Sequence, residues 1–346
     1  MALGTSHNTI TSGANFIPEL WSNEVLAAYM QNCTLRNLVT LMSHTGKKGD
    51  TIHVPNFTRG SASDKAASTQ VTLNSATHGV TNLSIDTHKE YSYLIEDILE
   101  VQALNSLRSQ YTEDAGYQLA KEIDEDLHLL GATLQAGALA AATLYEKGVI
   151  GGDGSTVFSG AANTNTGNGS ALTDAGIRKM IQTLDDADVP MLGRNLILPP
   201  VERKNIMGIS RFTEQAFVGD GSAIKNGKIA ELYGMPIYVS TNCPWLHVNS
   251  ITGTQSVTFT STAPTGASFS DEFALTVDWN TSTPSDTKYR VGMLLHKSAL
   301  ALVEQQKVRS QTQYKQEYLA TLYTADCIYG VDELRDDAGL AFVVPA

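Results

Sequence analysis

The sequence predicts a mixed α+β fold, and three observations carry that prediction. Residues step by three or four through Val101, Leu104, Leu107 or Arg108, Tyr111, Ala115, Leu119, Ile123, Leu127 and Leu130, nearly all of them apolar, with no proline between Pro55 and Pro190. That is the mark of one long amphipathic helix. Alternating residues at Thr51–Val54 and again at Val80–Ile85 flank a small, polar, glycine-containing middle. This pattern marks an extended hairpin. Farther on, "RNLILPP", "PVERKNIMG" and "KIAELYGMPIYVS" read as strand, helix and strand-turn-strand. Helices and strands segregated in this way belong to α+β architectures.

Taken in order, residues 1–18 form a polar, irregular arm. From Ile17 to Leu41, Leu20, Val25, Leu26, Tyr29 and Met30 recur at helical spacing, and Pro18 suits the first turn, where its missing N–H costs nothing. The stretch 46–95 is the hairpin, with the soft connection at 58–78. A connection that long is unusual inside a compact domain; a hairpin reaching away from its own core to lie on something else removes the difficulty. The long helix has about 30 residues, on the order of 50 Å at the usual rise. A Gly/Ser/Asn-rich loop covers 148–172, and Thr173 or Asp174 then caps a helix carrying Ile177, Met180, Ile181 and Leu184 on one side. Pro200 opens the next helix. Residues 245–290 are Thr/Ser-rich with β-branched alternation, a small β insertion. The tail is strand-rich, notably at Leu319–Tyr329 and Leu340–Val344.

Composition narrows the function. Of 346 residues, 42% are hydrophobic and only 17% charged, so a core is available and much surface is expected to be covered by partners. The formal net charge is −12, and no Lys/Arg run is longer than Lys47-Lys48. A sequence-independent nucleic-acid binder would carry a basic face, so tight DNA or RNA binding is not expected. Cys33, Cys243 and Cys327 are odd in number and widely spaced, which fits reduced thiols rather than a disulfide framework or a redox pair. The first residues lack the pattern of a secretory leader, and no apolar run reaches membrane-spanning length, so folding in a cytoplasm is expected.

The chemical motifs are thin. "GDGSAIKNGK" (219–228) is close in wording to a phosphate-cradling loop, but Gly221 and Gly227 enclose one residue too many and Ile229 stands where a hydroxyl should bind magnesium. "KEIDEDLH" (121–128) gathers Glu122, Asp124, Glu125 and Asp126. Carboxylates at this spacing can serve acid–base work or a metal, yet Glu-x-x-His occurs once, at 125–128, where di-metal bundles use it twice. A charged face of the long helix is the better reading. Cys243 and His247 are four apart across Pro244, in what reads as a loop, and lack further ligands for zinc. His53 reads as a packed side chain on its strand. No Gly-x-Ser-x-Gly elbow is present. Neither catalytic residue, cofactor nor metal is expected.

The order of these parts resembles the major capsid proteins of tailed bacteriophages with the HK97-like fold. "FIPELWSNEVLAAYMQNCTLRNLV" (16–39) looks like the family's N-terminal arm and first helix, and 46–95 like its extended E-loop. The helix from about 96 to 131 looks like the spine helix of the peripheral (P) domain. "RNLILPP" and "GKIAELYGMPIYVSTNCP" look like the axial (A) domain, while "LLHKSALALVEQ" and "YLATLYTADCIYGVDELRDD" are similar to the closing segments. The division this implies is 1–45 arm and first helix, 46–95 E-loop, 96–147 spine helix and P domain, 148–300 A domain with the insertion at 245–290, and 301–346 returning strands.

The resemblance implies a shell subunit that assembles with itself as hexamers and pentamers around packaged double-stranded DNA. It implies a portal and a possible decoration protein as partners, and no membrane. The arm shows no scaffold-like coiled segment, so a separate scaffolding protein is expected. Arg59 and Lys65 near the hairpin tip are expected to meet Glu122, Asp124, Glu125 and Asp126 of a neighbour and help set register. The lysine–asparagine cross-link of one branch of the family has no identifiable counterpart here. By the same resemblance, 219–228 becomes a turn facing a capsomer axis. Three other readings stand beside it: an encapsulin-like cellular compartment on the same fold, an enzyme using the carboxylates near 122–126, and an adhesion or decoration protein built on 245–290.

Overall fold

The computed structural model describes residues 34–44, 49–57, 60, 62–71, 73, 78–98, 107–135, 150–154, 169–209, 231–251, 254–260 and 289–345. Along the chain come β1 (Thr40–Ser43), β2 (Thr51–Asn56), β3 (Gly79–Ser84), β4 (Thr87–Glu96) and the long helix α1 (Leu107–Ala132). Next are β5 (Ile150–Gly151), α2 (Asp174–Asp186), β6 (Arg194–Leu198), α3 (Pro200–Met207), β7 (Glu231–Leu232) and β8 (Met235–Val239). The chain continues with β9 (Trp245–Ile251), β10 (Thr254–Thr260), β11 (Tyr289–His296), β12 (Leu300–Lys315), β13 (Ala320–Glu333) and β14 (Gly339–Pro345). The N-terminal arm, the glycine-rich 219–228 turn and residues 261–288 lie outside the described residues.

Two sheets share one core. The first has the order β1-β12-β13-β4 and is built on the long β12–β13 hairpin. Its register slips between Glu304 and Gln306 and again between Gln306 and Arg309. Such irregularities bend a strand and sharpen its twist. Here Asp326, on the facing strand, collects Arg309 Nε at 2.8 Å, Gln306 Nε2 at 3.0 Å and His88 Nε2 at 3.1 Å. Burial alone would raise the Asp326 carboxyl, but the Arg309 and His88 bonds outweigh it and hold it below its usual range. The second sheet runs β10-β9-β11-β6-β8-β7, and β14 pairs with both β11 and β5. β11 is its buried centre, apolar through Val291, Met293, Leu294 and Leu295.

The helix α1 packs against both sheets, touching β13 and β4 of the first and β11 and β14 of the second. Its Leu119, Ile123 and Leu127, one turn apart, are fully buried in the common core. Each such side chain contributes about 1.5–3 kcal/mol. At Gly131 the helix passes so close to Met293 that a Cβ would collide with its sulfur. Among the described residues no helix is long and apolar enough to cross a membrane.

Local signals act as the residues dictate. Thr173 caps α2 by accepting from Gly176 N at 3.1 Å. Pro200 opens α3. Tyr233 and Gly234, both at positive φ, make the tight turn between β7 and β8.

Three expectations need correction. The helix expected through Leu41 does not extend over its described end: Leu35–Asn37 is a 3₁₀ turn, and Thr40–Ser43 is a strand paired in parallel with β12. The open edge of β12 and the β-branched Val39-Thr40 override helical spacing there. His53 is not packed: it is exposed on β2 and bonds across the pair to Asn82 at 2.6 Å. His247 lies within strand β9 rather than on a loop.

Candidate assembly surfaces

The β2–β3 ribbon is rooted at one end only. At its base Leu83 and Ile85 are buried with Ala301 and Val303 of β12, against Ile52 and Val54 of β2. Ser84 N donates to Asp332 at 2.7 Å and Ile85 N to the Asp50 carbonyl at 2.7 Å. Gly330 lets β13 pass directly over the Ser84 carbonyl, where any Cβ would collide with that oxygen. Away from the root the ribbon becomes open and apolar. Phe57 is 76% and Leu73 89% exposed, and Val71 and Val80 are exposed as well. Phe57 rests edge-on against His78, with ring centroids 4.8 Å apart. Large apolar side chains left in water on a narrow ribbon mark an interaction surface. Lys65 lies exposed on the same connection, and Arg59 lies outside the described residues.

The four carboxylates of α1 do not form one outward patch. Asp124 is fully buried. Its oxygens accept from Thr34 Oγ1 at 3.1 Å, from Leu35 N at 2.9 Å and from Asn242 Nδ2 at 2.8 Å. It therefore ties the start of the described chain, the long helix and the loop after β8 together, and the expectation that it meets a neighbour is corrected. The reason lies in helical spacing: Ala120, Asp124 and His128 form the i, i+4 row beside Leu119, Ile123 and Leu127, so the same inward face carries Asp124. That row was visible in the sequence, but the concentration of acids hid it.

His128, also fully buried, donates from Nδ1 to the Asp124 backbone oxygen at 2.6 Å. Its Nε2 has no partner among the described residues. Burial pushes its pKa below the ordinary value, against the pull of Asp124.

Glu122, Glu125 and Asp126 are partly exposed. Lys89 of β4 bonds Glu122 at 2.8 Å and approaches Asp126 at 3.9 Å. Burial alone would lower the Lys89 ammonium, but the Glu122 bond and the Asp126 charge raise it overall. Tyr329 donates to Asp126 at 2.6 Å; burial and then that bond push its phenol far up. Glu125 pairs with Lys121 at 3.2 Å. Lys89 and Asp332 were not singled out by sequence, because only the sheet brings them to the helix and to the ribbon root.

Among the described residues no group of three or more His, Cys, Asp and Glu side chains could hold a metal ion. Cys243 and Cys327 are buried and free, and burial lifts each thiol to about 12, well away from reactivity.

Against known proteins, residues 14–330 match the family described as phage capsid protein. The chain belongs to that phage capsid family. Solved structures agree in fold. The Mycobacterium phage Che8 structure is similar at 20% identity and a TM-score of 0.60, with 90% of each chain covered. The capsid of cyanophage P-SCSP1u follows at 19% identity and 0.59, covering 90% of this chain and 87% of that one. The mature capsid of bacteriophage PhiM1 has 15% identity and 0.58, covering 90% and 86%. No curated protein matches the sequence.

The α+β, HK97-like arrangement expected from the order of the parts is thus the fold of this capsid protein. It is a structural subunit of a virion shell, built from copies of itself, and not an enzyme. The readings as a carboxylate enzyme, a cellular cargo compartment or an adhesion protein yield to that membership.

Proposed function

We propose that this capsid protein is the major shell subunit of a tailed bacteriophage, closing as hexamers and pentamers into an icosahedral shell around double-stranded DNA. In this reading 1–45 is the arm and first helix, 46–95 the E-loop, 96–147 the spine helix and P domain, 148–300 the A domain, and 301–346 the returning strands. Assembly takes place in the host cytoplasm on a separate scaffolding protein, with a portal and a decoration protein as further partners. The net charge of −12 favours a wall along which DNA is packed without being gripped.

One observation carries the reading: the ribbon is rooted at Ser84 and Gly330, yet Phe57 at its other end and Leu73 on its connection are left in water. Covering those two side chains on a neighbour supplies about 3–6 kcal/mol per contact. Arg59 and Lys65 set its register by meeting the partly exposed carboxylates Glu122, Glu125 and Asp126 across the interface, in competition with their partners Lys89, Lys121 and Tyr329, while Asp124 is reserved for the subunit interior.

The test is to replace residues 58–78 by a short turn and co-express the chain with its scaffolding protein. A folded subunit that no longer forms shells under negative-stain microscopy is expected. Shells of unchanged size and yield from the shortened chain overturn the ribbon's role. Shells formed by the intact chain alone overturn the separate scaffold, and purified particles empty of DNA but filled with protein overturn the genome container.

A further inference from the structure

The turn between α2 and β6 is built to hold two apolar side chains out in water. Leu192 is 90% and Met191 57% exposed. A floppy turn would hide them; this one is fixed from beneath by Arg194, whose side chain is fully buried. Its guanidinium donates to the Val189 carbonyl at 2.5 Å, the Pro190 carbonyl at 3.1 Å and Asp185 at 2.7 Å. His296 Nε2 lies 3.2 Å from the Leu192 carbonyl. Asp188 and Gly193 take positive φ at the two shoulders. The result is a preorganised apolar knob flanked by the exposed acids Asp186 and Asp188. Preorganisation lowers the ordering cost of binding.

The opposite end of the same strand carries the converse surface. α3 starts two residues after β6 ends, and it buries Glu202 and Ile206. Its outward face carries Val201, Arg203, Lys204 and Met207, all exposed. This basic and apolar face stands out in a chain of net charge −12. The two patches lie off opposite ends of β6, which spans about 13 Å at the usual rise per strand residue. Both are fixed to one rigid sheet through the same strand.

We propose that the Met191–Leu192 knob of one copy seats on the Val201–Met207 face of α3 in the next copy, with Asp186 and Asp188 facing Arg203 and Lys204. Apolar meets apolar and acid meets base, whereas neither patch complements itself. Such a contact is head-to-tail, and it closes into a ring when the rotation per copy divides the circle. It rests on the self-assembling shell reading and adds the pair of surfaces by which copies succeed one another around a capsomer.

The experiment is sedimentation of the purified full chain over a wide concentration range, with far-UV circular dichroism to check the fold of every variant. The wild type is expected to form closed rings. Leu192→Ser, a small surface change, is expected to need roughly tenfold or more protein for the same association. Asp186→Lys with Asp188→Lys should abolish association, as should Arg203→Glu with Lys204→Glu. All four substitutions on one chain should restore it. Wild-type protein that stays monomeric throughout, reversals that associate as the wild type does, or a quadruple variant that fails to recover each overturn the proposal. Shell formation on the scaffolding protein is scored separately, so loss of this contact and loss of the shell reading give different results.

Discussion

The backbone N–H of Leu35 donates to the Asp124 carboxylate at 2.9 Å, across 89 residues of chain. With Thr34 and Asn242 on the same carboxylate, the entry to the described chain is locked onto the long helix and the second sheet together. Asp124→Ala strands the Leu35 N–H and the Asn242 amide without water. A loss of about 2–4 kcal/mol in urea unfolding is expected. Asp124→Asn keeps one acceptor oxygen and should cost less. Equal, negligible losses from both would show that this lock is not a stabilising element.

Acid sensitivity should arise at His128. Its folded pKa lies below the unfolded value of about 6.5, so the unfolded chain binds the proton first. Stability from this group is full above pH 6.5 and is lost as pH falls toward the folded value, by up to about 1.4 kcal/mol per pH unit. Asp124 and Glu125 pull its pKa up and Arg290 pushes it down, yet burial dominates. Urea midpoints measured from pH 7.5 to 5.5 should fall for the wild type and fall less steeply for His128→Gln. Parallel slopes would remove His128 as the source.

Arg36 and Glu304 pair through two bonds of 2.8 and 3.1 Å, with side chains 10% and 5% exposed. This pair clamps β1 beside β12. Glu304→Gln leaves Arg36 charged and half-served, and should cost about 3 kcal/mol. Arg36→Met with Glu304→Leu removes both charges and should be near neutral. A double variant as unstable as the single one would mean that the charges themselves, not their pairing, hold the strand.

Gly330→Ala probes the ribbon root. The new Cβ meets the Ser84 carbonyl, which is backbone and cannot rotate away. A loss of roughly 2–3 kcal/mol is expected from such overpacking. Limited proteolysis should show earlier cutting within 50–86 than in the wild type. Unchanged melting and cutting would show that the ribbon can shift at no cost.

Much of the fold was legible because its signals are local. The row Leu119, Ile123 and Leu127, the Thr173 cap, the Pro200 start and the Tyr233-Gly234 turn each depend on a few neighbouring residues. The failures share a cause too. Leu41 left its helical pattern because β12, some 260 residues away, offers an open strand edge. His53 looked packed because alternation says which residues share a face but not which face is covered.

By itself, then, the sequence determined the α+β class and the β2–β3 strand pair, since periodicity, caps and turn residues are written in short windows. Only the tertiary structure decided which of four adjacent acids belongs to the interior. It also decided that Lys89 partners Glu122, that Tyr329 partners Asp126, and that Leu192 stands in water on a turn locked by Arg194. Those outcomes depend on which distant strand or loop arrives at a given face. That is settled by packing the whole core at once rather than by any stretch of chain alone.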